Sequence, residues 1–349
     1  AFVPELTKAL RVGPESAGAV PGPAAYMKGG EQPTVCDANI VLGLLPRDVQ
    51  LGGDMIINKQ AAEKAVQTIA DGIGIDLMEA AEGIIRIVNE SMFGALRLVS
   101  VEQGFDPRDF ALVGFGGAGP LHANALGILL NSFPVIIPPG PGVLCAYGEA
   151  TTQIQDESSR SYLAMAQDIA TDKFLSDLSD LKNKASESLL KDGVSDSNLE
   201  VIYQADVRYA GQAFQITVEF DEKEYKTKGV QLITDTFDDE HYQLFTFKLS
   251  DGHEILMIRA IVKVQQSKIK SLENENFSGS LEDAVIQDTR FYHEAQWHDA
   301  KIYDRTKLHA NLVIPGPAIV SEMDSTSVIL PDYEAAVDQV GNLIINPKK

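Results

Sequence analysis

Residues 110–130 read FALVGFGGAGPLHANALGILL, and this stretch decides the class of fold. Its first six residues are apolar throughout and predict a buried strand. Gly116, Gly117 and Gly119 predict a tight turn after that strand. Pro120 suits the first position of a helix, because the N–H that proline lacks would be unpaired there anyway. The stretch therefore predicts a strand, a turn and a helix, in that order.

The neighbouring segments extend this pattern into an α/β arrangement. PVIIP, residues 134–138, predicts a second buried strand, parallel to the first because a helix crosses between them. Upstream, apolar residues at spacings of three and four predict a helix over 61–73. A second helix should follow, capped by Asp76 and stopped by the signals at Gly104 and Pro107. We predict an α/β first part.

Strands dominate the prediction for the later part of the chain. A helix is predicted near 170–191, and the alternation over 199–209 predicts a strand that pairs with the segment 213–220 as a hairpin. Asp206 and Arg208 should share one face of that strand as a surface ion pair. Further strands are predicted at 255–264 and, as several short ones, in the C-terminal tail. Two domains are expected, 1–150 and 151–349, the second β-rich with an exposed polar loop near 265–284.

Composition excludes several classes of protein. The 349 residues carry 50 acidic and 29 basic side chains, a net charge of −21, which argues against partners that are nucleic acids or anionic membranes. Cys36 and Cys145 are too few for a disulfide framework or a closed zinc site, so no bound metal is predicted from the cysteines. No apolar run is long enough to span a membrane, and we expect a cytoplasmic protein.

The turn GFGGAGP is the sharpest chemical feature. Glycines allow a backbone to approach a ligand closely, and the first N–H groups of a helix attract a phosphate or a ribose hydroxyl. The spacing matches neither common phosphate fingerprint, which also disfavours a dinucleotide-dependent oxidoreductase. A purely structural strand-to-helix connection remains an equal alternative. No catalytic residue is assigned.

A second candidate site lies beside the Gly- and Pro-rich segment 11–33. Glu15, Asp37 and Asn39 could hold a magnesium ion or a polar substrate. Their alternative roles are hydrogen bonds within the loop and, for Asp37, a helix cap. His122, in the first turn of the predicted helix after Pro120, either orients a ligand or is simply packed.

Several segments together resemble the hydantoinase A/5-oxoprolinase family, in order and in spacing. They are RVGPESAGAVPGPAAY, PTVCDANIVLGLL, SVEQGFDPRDFALVGFGGAGPLHA, PGVLCAYG, DVRYAGQAF, GPAIVSEMDSTSVILP and VDQVGNLII. The resemblance implies a partial actin-like, sugar-kinase-like ATPase core followed by a β-rich α+β C-terminal domain. It also implies that ATP with Mg²⁺ phosphorylates the oxygen of a small cyclic amide or a ketone, and that a hydantoinase B-like subunit or domain is the partner.

Within that family pattern, the resemblance places the nucleoside end of ATP at one turn, formed by Gly116, Gly117, Ala118, Gly119 and Pro120. The family's two phosphate loops, Asp-Gly-Gly-Thr and Asp-Met-Gly-Gly-Thr-Ser, have no counterpart in this sequence. We therefore expect the later part of a hydantoinase A polypeptide, part of an ATP-dependent cyclic-amide hydrolase and inactive by itself. The alternative is a non-catalytic assembly or regulatory module that binds a hydantoinase B-like partner.

Overall fold

The computed structural model describes residues 1–45, 56–265 and 279–349. The chain forms two compact units: unit 1 is Ala1–Glu149 with Ser271–Lys349, and unit 2 is Ala150–Lys270. Unit 2 is thus an insertion in the sequence of unit 1. The predicted boundary at 150 is close to the first of these junctions, whereas the C-terminal segment groups with the first part of the chain. Of the polar loop predicted near 265–284, residues 266–278 lie outside the described residues.

Eight α-helices and thirteen strands occur in the described ranges. The helices are α1 Val35–Leu42, α2 Lys59–Ile73, α3 Leu77–Val99, α4 Gly119–Leu130, α5 Leu144–Thr151, α6 Thr171–Lys191, α7 Glu222–Lys228 and α8 Gln231–Phe245. The strands are β1 Leu112–Val113, β2 Val135–Ile137, β3 Gln155–Met165, β4 Leu199–Tyr209, β5 Ile216–Phe220, β6 His253–Val264, β7 Val285–His293, β8 Gln296–Asp304, β9 Val313–Pro315, β10 Ala318–Ser321, β11 Thr326–Ile329, β12 Tyr333–Val337 and β13 Leu343–Pro347.

Unit 1 contains two sheets that share one apolar core. The first has the order β1-β2-β13-β12-β9, and the second has the order β11-β10-β8-β7. β1 and β2 are parallel, as predicted, with α4 between them in sequence. β13 pairs antiparallel with β2, so the C-terminal strand lies in the centre of the first sheet. Ile137, Ile329 and Ile345 are fully buried in the core that the two sheets share.

The helices α1 to α3 build a second core in unit 1. The side chain of Asn58 accepts a hydrogen bond from Ala61 N at the start of α2, and that of Asp76 accepts one from Glu79 N at 2.9 Å at the start of α3. These caps satisfy N–H groups that have no partner inside a helix. Val66, on the predicted apolar stripe of α2, is fully buried. Both predicted helices are confirmed.

The prediction that FALVGF is a buried strand is wrong. Only Leu112–Val113 forms a strand, and Phe110, Val113 and Phe115 are 52%, 48% and 47% exposed. β1 lies at the edge of its sheet and pairs only with β2. An edge strand leaves one row of backbone groups and its outer side chains uncovered. Apolar composition alone does not distinguish this position from a central one.

Unit 2 is an antiparallel sheet with the order β3-β6-β4-β5, against which the helix α6 packs. The predicted hairpin of β4 and β5 is confirmed. The predicted surface pair of Asp206 with Arg208 is wrong, because Asp206 is buried and its carboxylate lies 2.6 Å from Nη2 of Arg259 on the neighbouring strand β6. Arg208 pairs instead with Glu254, also on β6. Cross-strand neighbours are closer than residues two apart on one strand.

In the ranges that the structure describes, no helix combines the length and the apolar composition that a membrane crossing needs. The cytoplasmic location stays a prediction.

Candidate functional site

The glycine turn keeps an open backbone. Gly116 has φ +82°, a conformation that glycine adopts without strain, and its N–H donates to the carbonyl oxygen of Pro141 at 2.7 Å. Gly117 and Ala118 are exposed. Helix α4 begins at Gly119, so Pro120 takes its second position rather than the predicted first, and Ala118 provides no side-chain cap. The N-terminal end of α4 is therefore free to face a ligand.

Two further segments of unit 1 meet this turn, namely Gly140–Gly142 and Glu322–Ser325. We call the three segments together the three-loop site. Ser325 Oγ lies 3.3 Å from the carbonyl oxygen of Gly117 and donates to it. Gly140 N donates to Glu322 Oε2 at 3.3 Å. These contacts join segments that are about 200 residues apart in sequence.

Asp324 fits between the two glycine segments. A Cβ atom on Gly142 would lie 2.7 Å from the backbone oxygen and from Oδ2 of Asp324, which is closer than such atoms approach. A Cβ atom on Gly117 would lie 3.4 Å from the same backbone oxygen. The absence of a side chain at Gly142 is thus a requirement for the position of Asp324.

The two carboxylates of the three-loop site are incompletely paired. Glu322 Oε1 and Asp324 Oδ2 are buried atoms without a hydrogen-bond partner among the described residues. Burial raises the pKa of Glu322 to about 7, and the nearby charge of Asp324 adds to this, while Arg305 and the Gly140 N–H oppose it. Unpaired buried acceptors cost free energy, so they indicate a ligand or a strained environment.

Each segment of the site, or its direct neighbour, also exposes an apolar side chain. Phe115 precedes the glycine turn, Val143 follows Gly142, and Met323 lies between the two carboxylates with 78% of its surface exposed. Exposed apolar side chains around unpaired acceptors suit a ligand that has a flat apolar part and neutral hydrogen-bond donors. A phosphate group has no donors at neutral pH, and the Asp324 carboxylate would repel it.

The second candidate site, expected beside the segment 11–33, differs from the three-loop site because its buried carboxylate is fully hydrogen-bonded. Asp37 is fully buried, and its carboxylate accepts four hydrogen bonds, from Ala24 N, from Ala25 N, and from N and Oγ1 of Thr34, over 2.7–3.2 Å. The alternative role expected for Asp37, a helix cap, is observed in part: Thr34 is the N-cap residue of α1, and Asp37 is its partner in the capping box at the third helical position. These donors occupy the lone pairs that a magnesium ion would need.

Asn39 and Glu15 have surroundings that differ from those of Asp37. Asn39 is buried, and its Nδ2 donates to Val35 O within α1 at 3.1 Å. Glu15 is exposed on the preceding loop. The part of the chain that the structure describes contains no group of three His, Cys, Asp or Glu side chains that could hold a metal ion. A substrate or magnesium role for these three residues stays a prediction.

His122 is packed inside unit 1. Its Nδ1 lies 2.8 Å from Oδ1 of Asn89 on α3, and burial lowers its pKa to about 4, so the ring is neutral. Of the two roles considered for His122, packing between α3 and α4 is the one its contacts support.

Glu322, Asp324, Ser325 and the segment Gly140–Gly142 were not identified as site residues from the sequence. Local spacing gives no sign of contacts across about 200 residues. Two of the family-like segments, PGVLCAYG and GPAIVSEMDSTSVILP, overlap or contain these residues. The occurrence of both segments in one chain was the sequence signal that could have indicated these site residues.

Two family models match the chain. The model described as Hydantoinase/oxoprolinase matches residues 2–158, and that described as Hydantoinase/oxoprolinase C-terminal domain matches residues 164–345. An uncharacterized protein of Methanocaldococcus jannaschii is 36% identical over 97% of this chain and 48% of its own length. The caprolactamase subunit alpha of Pseudomonas jessenii is 31% identical over 97% of this chain and 50% of its own length.

The fold is also similar to that of a solved structure. The crystal structure of the ATP-dependent caprolactamase from Pseudomonas jessenii superposes with a TM-score of 0.86 at 30% identity, over 96% of this chain and 50% of that one. The predicted fold class, a partial actin-like ATPase core followed by a β-rich α+β part, is confirmed. The chain spans about half the length of the curated relatives it matches.

Proposed function

This chain belongs to the hydantoinase/oxoprolinase family, and from that premise we propose that it forms part of an ATP-dependent enzyme that hydrolyses cyclic amides. Within that enzyme, the three-loop site receives the nucleoside end of ATP. The observation that carries the proposal is the open glycine turn with unpaired carboxylate oxygens and exposed apolar side chains around it. The relative described as an ATP-dependent caprolactamase supports both the nucleotide and the class of substrate.

The proposed reaction activates a poor electrophile. ATP supplies the phosphoryl group that is placed on the oxygen of the cyclic amide, after which water opens the ring and inorganic phosphate leaves. The residues described here orient the nucleoside, and positioning is a large part of catalysis in phosphoryl transfer. The role proposed for the three-loop site is confined to the nucleoside. The partner that completes the enzyme is a hydantoinase B-like subunit or domain.

Electrostatics favours the nucleoside over the phosphates at this turn. A helix N-terminus attracts anions, and taken alone the start of α4 would suit a phosphate. Asp324 lies against Gly117, two residues before that helix begins, and its carboxylate opposes a second negative charge. A nucleoside is neutral and carries several hydrogen-bond donors, so it suits the same surroundings.

Calorimetric titration of the chain with adenosine tests this assignment. We expect saturable binding to the wild-type chain and at least a tenfold loss in Gly117→Val, because the added side chain would occupy the exposed surface of the turn. Gly94→Val is the matched control, since a Cβ atom at Gly94 in α3 would meet no atom within 4 Å. Equal affinities of the wild-type chain and Gly117→Val would contradict the proposal.

The substrate class is tested separately. Co-expression of the chain with a hydantoinase B-like polypeptide and the family's phosphate-loop segment should give ATP hydrolysis that depends on 5-oxoproline, a hydantoin or a lactam. Hydrolysis of ATP at the same rate with and without each of these rings would contradict the proposed reaction.

A second candidate function, assembly with another polypeptide, has its own observation. The end of α3 and the segment 110–113 expose the apolar side chains of Val99, Phe110 and Val113, and exposed apolar side chains of this kind usually mark a contact surface. This exposed surface supports the alternative function, a non-catalytic module that binds a hydantoinase B-like partner. Association by co-purification without any binding of adenosine would favour this function over the first.

A further inference from the structure

We propose that the carboxylate of Asp324 accepts hydrogen bonds from the ribose hydroxyl groups of the bound nucleoside, so that the site selects ribonucleosides over 2′-deoxyribonucleosides. This inference rests on the proposed function and adds a specificity-determining residue to it. No residue of the segment Glu322–Ser325 was assigned a role from the sequence.

The position of Asp324 is fixed by the backbone of both glycine segments. Its backbone oxygen and Oδ2 occupy the space that a side chain on Gly142 would need, with 2.7 Å to the Cβ position. Its backbone oxygen also lies next to Gly117. The following residue, Ser325, donates to the Gly117 carbonyl oxygen and ties the segment to the turn. A carboxylate held in this way needs little reorganisation when a ligand binds.

The acceptor capacity of Asp324 is unused. Oδ2 is buried against Gly142, whereas Oδ1 is not among the buried atoms and accepts no hydrogen bond from the described residues, so Oδ1 is the oxygen that a ligand can reach. An ionised carboxylate has two oxygens with about four acceptor positions. By contrast, Asp37 in the same unit accepts four hydrogen bonds. Asp324 is thus a fixed acceptor without a donor in the free protein.

The ribose is the part of the nucleoside whose chemistry matches this acceptor. Its 2′ and 3′ hydroxyl groups are adjacent donors, and a single carboxylate oxygen such as Oδ1 has two acceptor positions for them. The phosphates have no donor at neutral pH. Val143 and Met323, the direct neighbours of Gly142 and Asp324 in sequence, are exposed apolar side chains that a flat base could cover.

Glu322 has a different role in the same segment. Its Oε2 already accepts from Gly140 N at 3.3 Å, and its Oε1 is buried. Glu322 therefore holds the Gly140–Gly142 segment, against which Asp324 is placed. It is a positioning residue, and Asp324 is the residue that contacts the ligand.

The experiment compares the affinities of adenosine, 2′-deoxyadenosine and inosine for the full 349-residue chain by calorimetry. We expect the wild-type chain to bind 2′-deoxyadenosine roughly ten- to a hundredfold more weakly than adenosine, the range for a hydrogen bond to a charged group. Inosine, which lacks the amino group of the base, should bind within about threefold of adenosine. Asp324→Asn should reduce the preference for adenosine over 2′-deoxyadenosine to within about threefold.

Two further variants test whether the preference depends on the Asp324 carboxylate and on its position. Asp332→Asn makes the same chemical change at an exposed site outside the three loops and should keep the wild-type preference. Gly142→Ala keeps the carboxylate but displaces it, and it should lose the preference as Asp324→Asn does. Thermal unfolding of each variant shows whether it is folded at the temperature of the titration.

The outcomes distinguish the two proposals. If the wild-type chain binds adenosine and 2′-deoxyadenosine equally, the ribose inference is overturned while the nucleoside site stands. If inosine is the weak ligand instead, the base is what the site selects, and the inference is again overturned. If the wild-type chain binds no adenosine, the proposed function fails, and this inference fails with it.

Discussion

The three-loop site can be compared with the region around Asp37, which consists of the segment 11–33 and the start of α1. Both regions place carboxylates next to glycines or prolines, and they differ in how many hydrogen bonds those carboxylates accept. Asp37 accepts four hydrogen bonds from its own loop and helix. Glu322 accepts one backbone N–H and leaves its second oxygen unpaired, and Asp324 accepts none from the described residues. The donors of the chain itself satisfy the Asp37 carboxylate, whereas the carboxylates of the three-loop site have acceptor capacity left over.

This difference predicts opposite effects of removing a negative charge. At Asp37 the charge is stabilised by surrounding donors, so its loss should destabilise the fold. At Glu322 the charge is poorly compensated, so its loss should stabilise the fold where the wild-type side chain is ionised. Carboxylates that serve a ligand are expected to reduce the stability of the free protein.

The largest effect is expected for Asp37→Asn. The substituted amide places an NH₂ group against backbone N–H donors, and we expect unit 1 to lose about 2–4 kcal/mol of unfolding free energy. Urea unfolding followed by circular dichroism measures this loss. Where the variant is folded, its affinity for adenosine should be unchanged.

A loss below about 0.5 kcal/mol in Asp37→Asn would show that the hydrogen bonds around Asp37 are not a stabilising unit. A specific loss of nucleotide or substrate binding in a fully folded variant would instead support the ligand-binding role that the sequence suggested for this loop.

The next effect concerns the pH dependence of stability at Glu322. The pKa of its carboxyl in the folded chain is raised from 4.5 to about 7, so the folded state holds the proton more tightly than the unfolded state. This contribution to stability is fully present below pH 4.5 and is lost as the pH rises to about 7. Glu322→Gln should therefore be more stable than the wild-type chain at pH 8, by about 2 kcal/mol, and not at pH 4.

The measurement is the difference in unfolding free energy between the variant and the wild-type chain at each pH. His122 titrates in a similar range with the opposite sign, because burial lowers its pKa to about 4. Its contribution is the same in both proteins and cancels in the difference. A difference that does not change with pH would contradict the raised pKa of Glu322.

The smallest effect is expected for Glu15→Gln. Glu15 is exposed, so its substitution should change the unfolding free energy by less than about 0.5 kcal/mol. Adenosine binding should be unchanged as well, since Glu15 is not part of the three-loop site. A clear loss of substrate-dependent ATP hydrolysis in the assembled enzyme would restore Glu15 as a substrate or magnesium residue.

Local patterns predicted most regular elements well. The helices α2, α3 and α6, the hairpin of β4 and β5, and the parallel pair of β1 and β2 follow from periodicity, caps and turn residues within short stretches. These features depend on neighbours that are close in sequence, which is why a single sequence contains enough information for them.

Features that depend on distant residues were missed or were wrong. FALVGF has the composition of a central strand, but its position at the edge is set by which strand pairs with it. The partner of Asp206 is on β6 and not two residues away. The three-loop site needs Glu322 and Asp324 next to the glycine turn, and no local spacing contains that contact.

The position of β13 has a consequence for synthesis on the ribosome. β13 lies between β2 and β12 and follows β2 by about 200 residues. At 5 to 20 residues per second, β1 and β2 wait roughly 10 to 40 seconds for this neighbour. During that time the sheet next to the glycine turn is incomplete. The edge of β2 that will pair with β13 is then available to molecular chaperones.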